Sequence, residues 1–365
     1  MDEAVAVVAE QIRAAAAGRQ PLRVRAGGSK DFYGNTPRGT VLDPRAARGI
    51  ISYEPTELAL TVRCGTPLAE LEATLDAHGQ MLAFEPPHYG ETATIGGCIG
   101  SGLAGPRRAS AGYSFGGVRD FVLGAKLLDG RAQLLSFGGM VMKNVAGYDV
   151  ARLLAGSLGV LGVIIEVSLK VVPKHKVEST LRFAMNETAA LNQLNAWGGQ
   201  PLPLSASAWH MDTLFVRLSG STSAVEAAAA RLGGQAIDPG VAAQFWHGLR
   251  EQTDPFFSGD LPLWRLSVPS PAAAVELGTD QLVEWGGALR WIRSTRSTAE
   301  IRARAHSLGG HATLFRGGDR TQGVFTPLAP GIAAIHQRLR AQFDPAGIFD
   351  SGRMYPEGQN ANHAR

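Results

Sequence analysis

The stretch Thr94-Ile-Gly-Gly-Cys-Ile-Gly-Ser-Gly-Leu-Ala-Gly-Pro-Arg-Arg108 contains a literal G-x-G-x-x-G at Gly100, Gly102 and Gly105. Glycines so spaced let main-chain N–H groups approach a phosphate closely. A doubly wound dinucleotide domain would run a buried strand into the glycines and a helix straight out, with an acid about 20 residues on. Here Pro106-Arg107-Arg108-Ala109-Ser110-Ala111-Gly112 follows, which cannot sustain such a helix, and Asp120 lies in the lead-in to the next strand beside Arg119. No Gly-Lys-Ser/Thr follows either, so the loop is not a Walker A motif. The informative feature is density: nine glycines in the 28 residues Gly90–Gly117, against 45 in 365 for the chain. That density suits backbone lying against something flat or anionic. A second short loop, Ala26-Gly27-Gly28-Ser29, falls between two expected strands, so two N–H-rich loops could clamp a pyrophosphate without a helix dipole. Glycines serving only turns and close packing remain the plainer alternative.

The elements that must position these loops read as follows. Leu22 onward is a short strand ending in glycines. Residues 57–79 give a strand, a turn with Pro67 at a helix start, and a helix closed by Gly79. Residues 118–137 read as a hairpin joined at Asp129-Gly130. The run Gly159–Pro173 is another strand with proline as its stop. After Lys176 helix-like stretches (221–234, 297–310) alternate with strand-like ones (213–220, 263–269), and residues 333–355 read as a helix followed by an extended tail. We expect an α+β protein divided into residues 1–175, 176–315, a return over 316–357 and a disordered tail at 358–365.

Composition bounds the function. At 45% apolar and 18% charged, with a formal charge of +3, the chain has no basic excess that would argue for nucleic acid. No apolar run is long enough to span a bilayer, and the N-terminal stretch, interrupted by Glu3, Glu10 and Arg13, reads as an amphipathic helix. Two cysteines, Cys64 and Cys98, are too few for an iron–sulfur cluster held by this chain alone, since such clusters take about four thiolates. They are also too few for a disulfide framework, so a reducing, cytoplasmic compartment is expected. No metal-binding cluster is evident.

Four stretches in order resemble the flavoproteins with a vanillyl-alcohol-oxidase-type (PCMH-type) FAD domain. They are Arg25–Gly34, Phe84–Arg108, Val141–Pro173 with its Lys143-Asn-Val-Ala-Gly-Tyr-Asp149, and Phe343–Tyr355. Within that group the chain is similar to the smaller FAD-binding subunits of bacterial glycolate oxidases. The resemblance implies a PCMH-type FAD-binding domain of two β-rich lobes plus an α/β cap. It also implies a complex with a catalytic flavin subunit of D-lactate-dehydrogenase type and an iron–sulfur subunit, peripheral on the inner membrane through that complex, acting on a small 2-hydroxy acid. The implied cofactor contacts are Arg25, Ala26, Gly27, Gly28, Ser29 and Lys30 in the first loop, with Thr94, Ile95, Gly96, Gly97, Gly100, Gly102 and Leu103 in the second. Gly159, Gly162, Val163 and Ile164 would add main-chain contacts. Leu158, Val160 and Asp350-Ser351 depart from the family pattern. Ser29 and Lys30 occupy positions where some relatives tether FAD, so non-covalent FAD is expected, with Cys98 as a packed thiol.

Oxidising a 2-hydroxy acid on flavin requires a cation for the carboxylate, a base for the hydroxyl proton and an α-carbon held against the cofactor. The metal-linked H-x-x-G-D-G-N of the larger subunits has no counterpart here. His311 is the candidate acid or base and Arg316 the candidate clamp, because a planar guanidinium matches a carboxylate. Arg265 is a further clamp candidate. His88 could face the cofactor or order the Pro86-Pro87 turn, and Tyr148 could pack or touch cofactor. His78 and His363 are given no role. Two other readings stay open, a free-standing 2-hydroxy-acid dehydrogenase and a flavin-free scaffold subunit.

Overall fold

The computed structural model describes residues 2–110, 116–139, 149–278 and 280–355. Lys143, Tyr148, His363 and the tail expected at 358–365 lie outside the described residues.

The chain opens with a helix, Glu3–Gly18, started by the Asp2 side chain, which accepts from the Val5 N–H. Its buried residues Val5, Val8, Ala9, Ile12 and Ala15 recur at the spacing of one helical face. That stripe joins Leu22, Leu42, Val163, Ile165, Ile348 and Phe349 in one small core, so the two chain ends are packed together. Leu22–Val24 and Thr40–Leu42 pair in parallel over the same core.

A second lobe is a five-stranded antiparallel sheet, in the order Ile50–Glu54, Ala59–Arg63, Val163–Lys170, Val122–Leu128, Leu134–Gly138. Val163–Lys170 is central, and most of its side chains are buried, which explains its continuous apolar run. The expected hairpin is present, but Asp129-Gly130 is not a two-residue turn. Leu128 pairs with Leu134, leaving a five-residue loop in which the Asp129 carboxylate accepts from the Arg131 and Gln133 N–H groups. Gly130 meanwhile donates its N–H to Phe343 O, and a Cβ there would fall 2.6 Å from Asp344 Oδ1. The turn is therefore shaped by the C-terminal segment packed on it.

An eight-stranded sheet follows, formed by strands between Val177 and Arg316, every pair antiparallel. One of its faces, carrying Ala208, Leu263, Leu282, Leu289 and Trp291, packs against Tyr33 and Leu103 of the first part of the chain. A buried ion-pair group fastens this packing. Glu85 accepts from both Arg107 and Arg217, and Arg107 reaches on to Glu178. No described helix is long and apolar enough to cross a membrane.

Candidate functional site

A cleft of about 90 Å³, open to solvent, is lined by residues 24–31, Thr94, Gly97, Gly100, Ser101, Leu158, Gly159 and Arg353. Its floor corrects one expectation. The glycine stretch is not an open loop but a short helix, Ile95–Ser101, begun by the Thr94 hydroxyl accepting from Gly97 N and closed by Gly102. The succeeding turn then locks to its end, with Gly156 N–H donating to Ile99 O and Leu158 N–H to Gly100 O.

The glycines divide by what a side chain would meet. A Cβ on Gly27 would collide with the Thr92 carbonyl at 1.5 Å, so Gly27 is required for the first loop to pack on residue 92. A Cβ on Gly100 would meet nothing within 4 Å. Gly100 therefore presents bare backbone to empty space, which is what a close-lying cofactor needs.

Charge agrees. Among the described residues, Arg25, Lys30 and Arg353 line the cleft against one carboxylate, Asp31, which is paired with Arg25, so Lys30 and Arg353 remain as the excess of cations. Lys30 is 6% exposed, and its Nζ bonds to His88 O at 3.1 Å rather than to a carboxylate. Burial lowers its pKa against the raising effects of Cys98 and Glu251. Arg353, not singled out in the sequence, donates to the carbonyls of Lys30 and Tyr33 and ties the C-terminal segment to the first loop. The residues present fit a dinucleotide diphosphate.

The side chains of Ile95, Leu103, Val163 and Ile164 are buried in the apolar cores, so only their main chain is left to face the cleft. Gly96, Gly102 and Gly162 face protein; a Cβ on Gly162 would sit 2.3 Å from Leu128 O. The spacing of the motif could not separate the glycines that face a ligand from those that face protein. Cys98 is in the core, and burial pushes its thiol up to about 12.

Beside the cleft stands a second group of side chains on the inner face of the large sheet. Arg265 lies over the Trp285 ring at 5.1 Å and the Trp291 ring at 6.0 Å. Arg316 lies over Phe32 at 4.3 Å and Tyr89 at 5.1 Å. Arg108 covers Trp285 at 4.6 Å. Register explains the Arg316 placement. Leu263 pairs with Arg316 while Trp264 pairs with Leu314, so Phe315 is an extra residue, and the bulge turns Arg316 to the face that carries Leu263. Among the described residues, no carboxylate lies within 4.0 Å of the Arg265 or Arg316 guanidinium. The Tyr89 ring joins the two regions, with Lys30 Nζ 5.6 Å and Arg316 5.1 Å from its centroid. Glu251 holds this turn by accepting the His88 and Tyr89 N–H groups. The His88 ring itself is bound to Glu72 at 2.8 Å, so His88 orders its turn.

His311 and Arg316 do not come together. They sit at opposite ends of the strand His311–Arg316, roughly 15 Å apart at the rise of an extended chain. His311 is exposed, and its pKa is lowered by partial burial and by Arg265. The sequence also gave no sign of Glu284, a buried carboxyl that accepts from Trp291 Nε1 at 2.7 Å.

Comparison with known proteins decides the family. A family model described as an FAD binding domain matches residues 3–138. The chain is 47% identical over 348 residues, 95% of this chain and 96% of the relative, to glycolate oxidase subunit GlcE of Escherichia coli (strain K12). It belongs to the GlcE family. GlcE-family membership makes this an FAD-binding oxidoreductase fold, with a PCMH-type FAD domain in an α+β chain. The chain is also similar to glycolate oxidase subunit GlcD of Bacillus subtilis (strain 168), 32% identical over 165 residues, 45% of this chain and 34% of that one. Among solved structures, alkyldihydroxyacetonephosphate synthase matches with a TM-score of 0.64 at 15% identity, covering 93% of this chain and 73% of that one, which shows a shared fold.

Proposed function

We propose that this chain is the FAD-binding subunit of a glycolate oxidase, working with a catalytic flavin subunit and an iron–sulfur subunit to oxidise glycolate to glyoxylate. The observation that carries the cofactor is the convergence of the first loop, the Ile95–Ser101 helix, residues 158–159 and Arg353 on one cleft, with Gly100 left bare at its centre. Residues 1–175 form the FAD-binding domain, 176–315 the cap and 316–357 the return that brings Arg353 to the cofactor. Residues 25–30, Thr94, Gly97, Gly100 and Gly159 hold FAD, with Lys30, Arg25 and Arg353 balancing its diphosphate. Attachment is non-covalent: Ser29 and Lys30 offer no tether and the Cys98 thiol is buried in the core. FAD when bound supplies a hydride acceptor. On the cap side, Arg316 and Arg265 hold a ligand carboxylate, and the aromatic rings beneath them keep both guanidiniums desolvated and aimed. His311, at the far end of its strand from Arg316, is retained only as a proton-transfer group on the Arg265 side of this face. Only two cysteines are present, so the clusters of the complex belong to another subunit, through which the chain is held at the inner membrane.

The test is an absorption spectrum of the chain purified alone, followed by anaerobic glycolate. A yellow protein that keeps its colour is the expected result and marks a subunit that needs its partners. Bleaching by glycolate would make it a dehydrogenase in its own right. A colourless chain that takes up no added FAD overturns the reading.

A further inference from the structure

The inner face of the cap sheet carries a buried carboxyl that the proposed reaction does not use. Glu284 is 4% exposed and ends the strand Gln281–Glu284. Its side chain points to the same face as Trp291 and Arg265, since Trp291 pairs with both Leu282 and Arg265 in neighbouring strands. One indole therefore separates the two charges. Trp291 Nε1 donates to Glu284 Oε2, while the Arg265 guanidinium lies over the Trp291 ring. Arg265 has no carboxylate in contact among the described residues, and Glu284 has no cation in contact.

Other groups around Glu284 are already committed or neutral. Glu85 is held by Arg107 and Arg217, and the Asp254 carboxylate accepts from Phe256 N–H. Arg293 donates to Phe256 O. Tyr89 is buried, its phenol held protonated by desolvation, and it lies beside Arg316. Arg108 covers the far indole, Trp285. That leaves Glu284 as the group whose charge faces Arg265 across one indole with no other partner in contact among the described residues.

We propose that Glu284 is a positioning residue, the internal counterion of Arg265, which gives up its negative charge by taking a proton from solvent when an anionic ligand occupies the arginine face. The step balances simply: one proton moves from bulk water or buffer to the Glu284 carboxylate, and the ligand's carboxylate takes over as partner to Arg265. Two negative charges around one desolvated guanidinium would repel at low effective dielectric, so binding and protonation are linked. Burial, offset by the Trp291 hydrogen bond and by Arg265, pushes the Glu284 pKa up to about 7, so the exchange is centred near that pH. This inference rests on the reading of Arg265 and Arg316 as a carboxylate clamp.

The experiment is titration calorimetry of the full chain, loaded with FAD, using oxalate as an unreactive carboxylate at pH 7 to 8. It is run in two buffers of different ionisation enthalpy. The expected result is net proton uptake on binding and an affinity that falls by up to about tenfold per pH unit above pH 7. Glu284→Gln should bind oxalate with no proton uptake and no fall across that range. Oxalate binding without proton linkage in the wild-type chain overturns the proposal and leaves the clamp standing. So does linkage that persists in Glu284→Gln. No binding at all overturns the clamp and this inference together. The wild-type measurement needs no variant, so a poorly folding Glu284→Gln would not remove the test.

Discussion

In the proposed reading, the cofactor cleft and the cap-side face solve the same problem, holding an anion, with opposite materials. The cleft uses backbone: glycines without side chains, the main chain of the first loop and a few cations at its edge. The face uses side chains, arginines laid on tryptophan, tyrosine and phenylalanine, with a buried carboxyl behind them. The cleft's recognition is short-range in sequence, because each loop carries its own glycines. The face exists only when strands distant in sequence come into register. The lesson is that the presence of a backbone site can be read from consecutive residues, though not which of its glycines face outward, whereas a side-chain site on a sheet cannot be read this way at all.

The sharpest way to break this comparison is at Gly100. Replacing it with leucine adds a side chain where nothing stands within 4 Å, so the apo chain should keep its melting temperature. FAD retention, read by equilibrium dialysis, should fall at least ~100-fold, about 3 kcal/mol. A Gly100→Leu chain that binds FAD normally would show that the cleft is not the cofactor site.

Stability against pH probes the other region. Glu284 has its pKa raised from 4.5 to about 7 by burial. Its contribution is therefore full below the unfolded pKa and disappears as pH climbs through the folded one. Urea unfolding of the wild-type chain should lose up to about 3 kcal/mol between pH 4.5 and 7 from this group, at roughly 1.4 kcal/mol per unit, then level off. Glu284→Gln should lack that slope, and an unchanged slope would place the titration elsewhere.

Arg316→Leu should separate the two regions directly. Oxalate affinity should drop by about tenfold, the usual worth of one charged hydrogen-bond partner, while FAD affinity stays unchanged. Loss of both would mean that the face and the cleft are one site.

The smallest effect is expected at Lys30. Lys30→Met keeps the buried stem and removes the charge, so FAD affinity should weaken by several-fold, about 1 kcal/mol. Raising the salt concentration should erase less of the remaining difference than it would for an exposed pair, because Lys30 is 6% exposed.

Much of this was legible in the sequence, and for identifiable reasons. The amphipathic N-terminal helix, the helix starting beside Pro67, the central strand Val163–Lys170 and the two strands of the Asp129 hairpin follow from local periodicity, whereas the hairpin's turn is shaped by the C-terminal segment. The glycine density around Gly100 pointed to bare backbone, which the structure has at Gly100, and the paucity of cysteine argued against an iron–sulfur cluster held by this chain alone. Local pattern could not tell that Gly100 faces the cleft while Gly162 faces Leu128 O, since both are glycines beside apolar residues. It could not place Arg353 against Lys30, because that contact spans the chain and depends on the C-terminal return. Nor could it pair Arg265 with Arg316 instead of His311 with Arg316: a single extra residue at Phe315 turned Arg316 to the inner face. Composition and local spacing determine which chemistry the chain can carry. Which side chains meet is decided by strand register and by the packing of distant segments, where a one-residue shift moves a charge from one face of a sheet to the other.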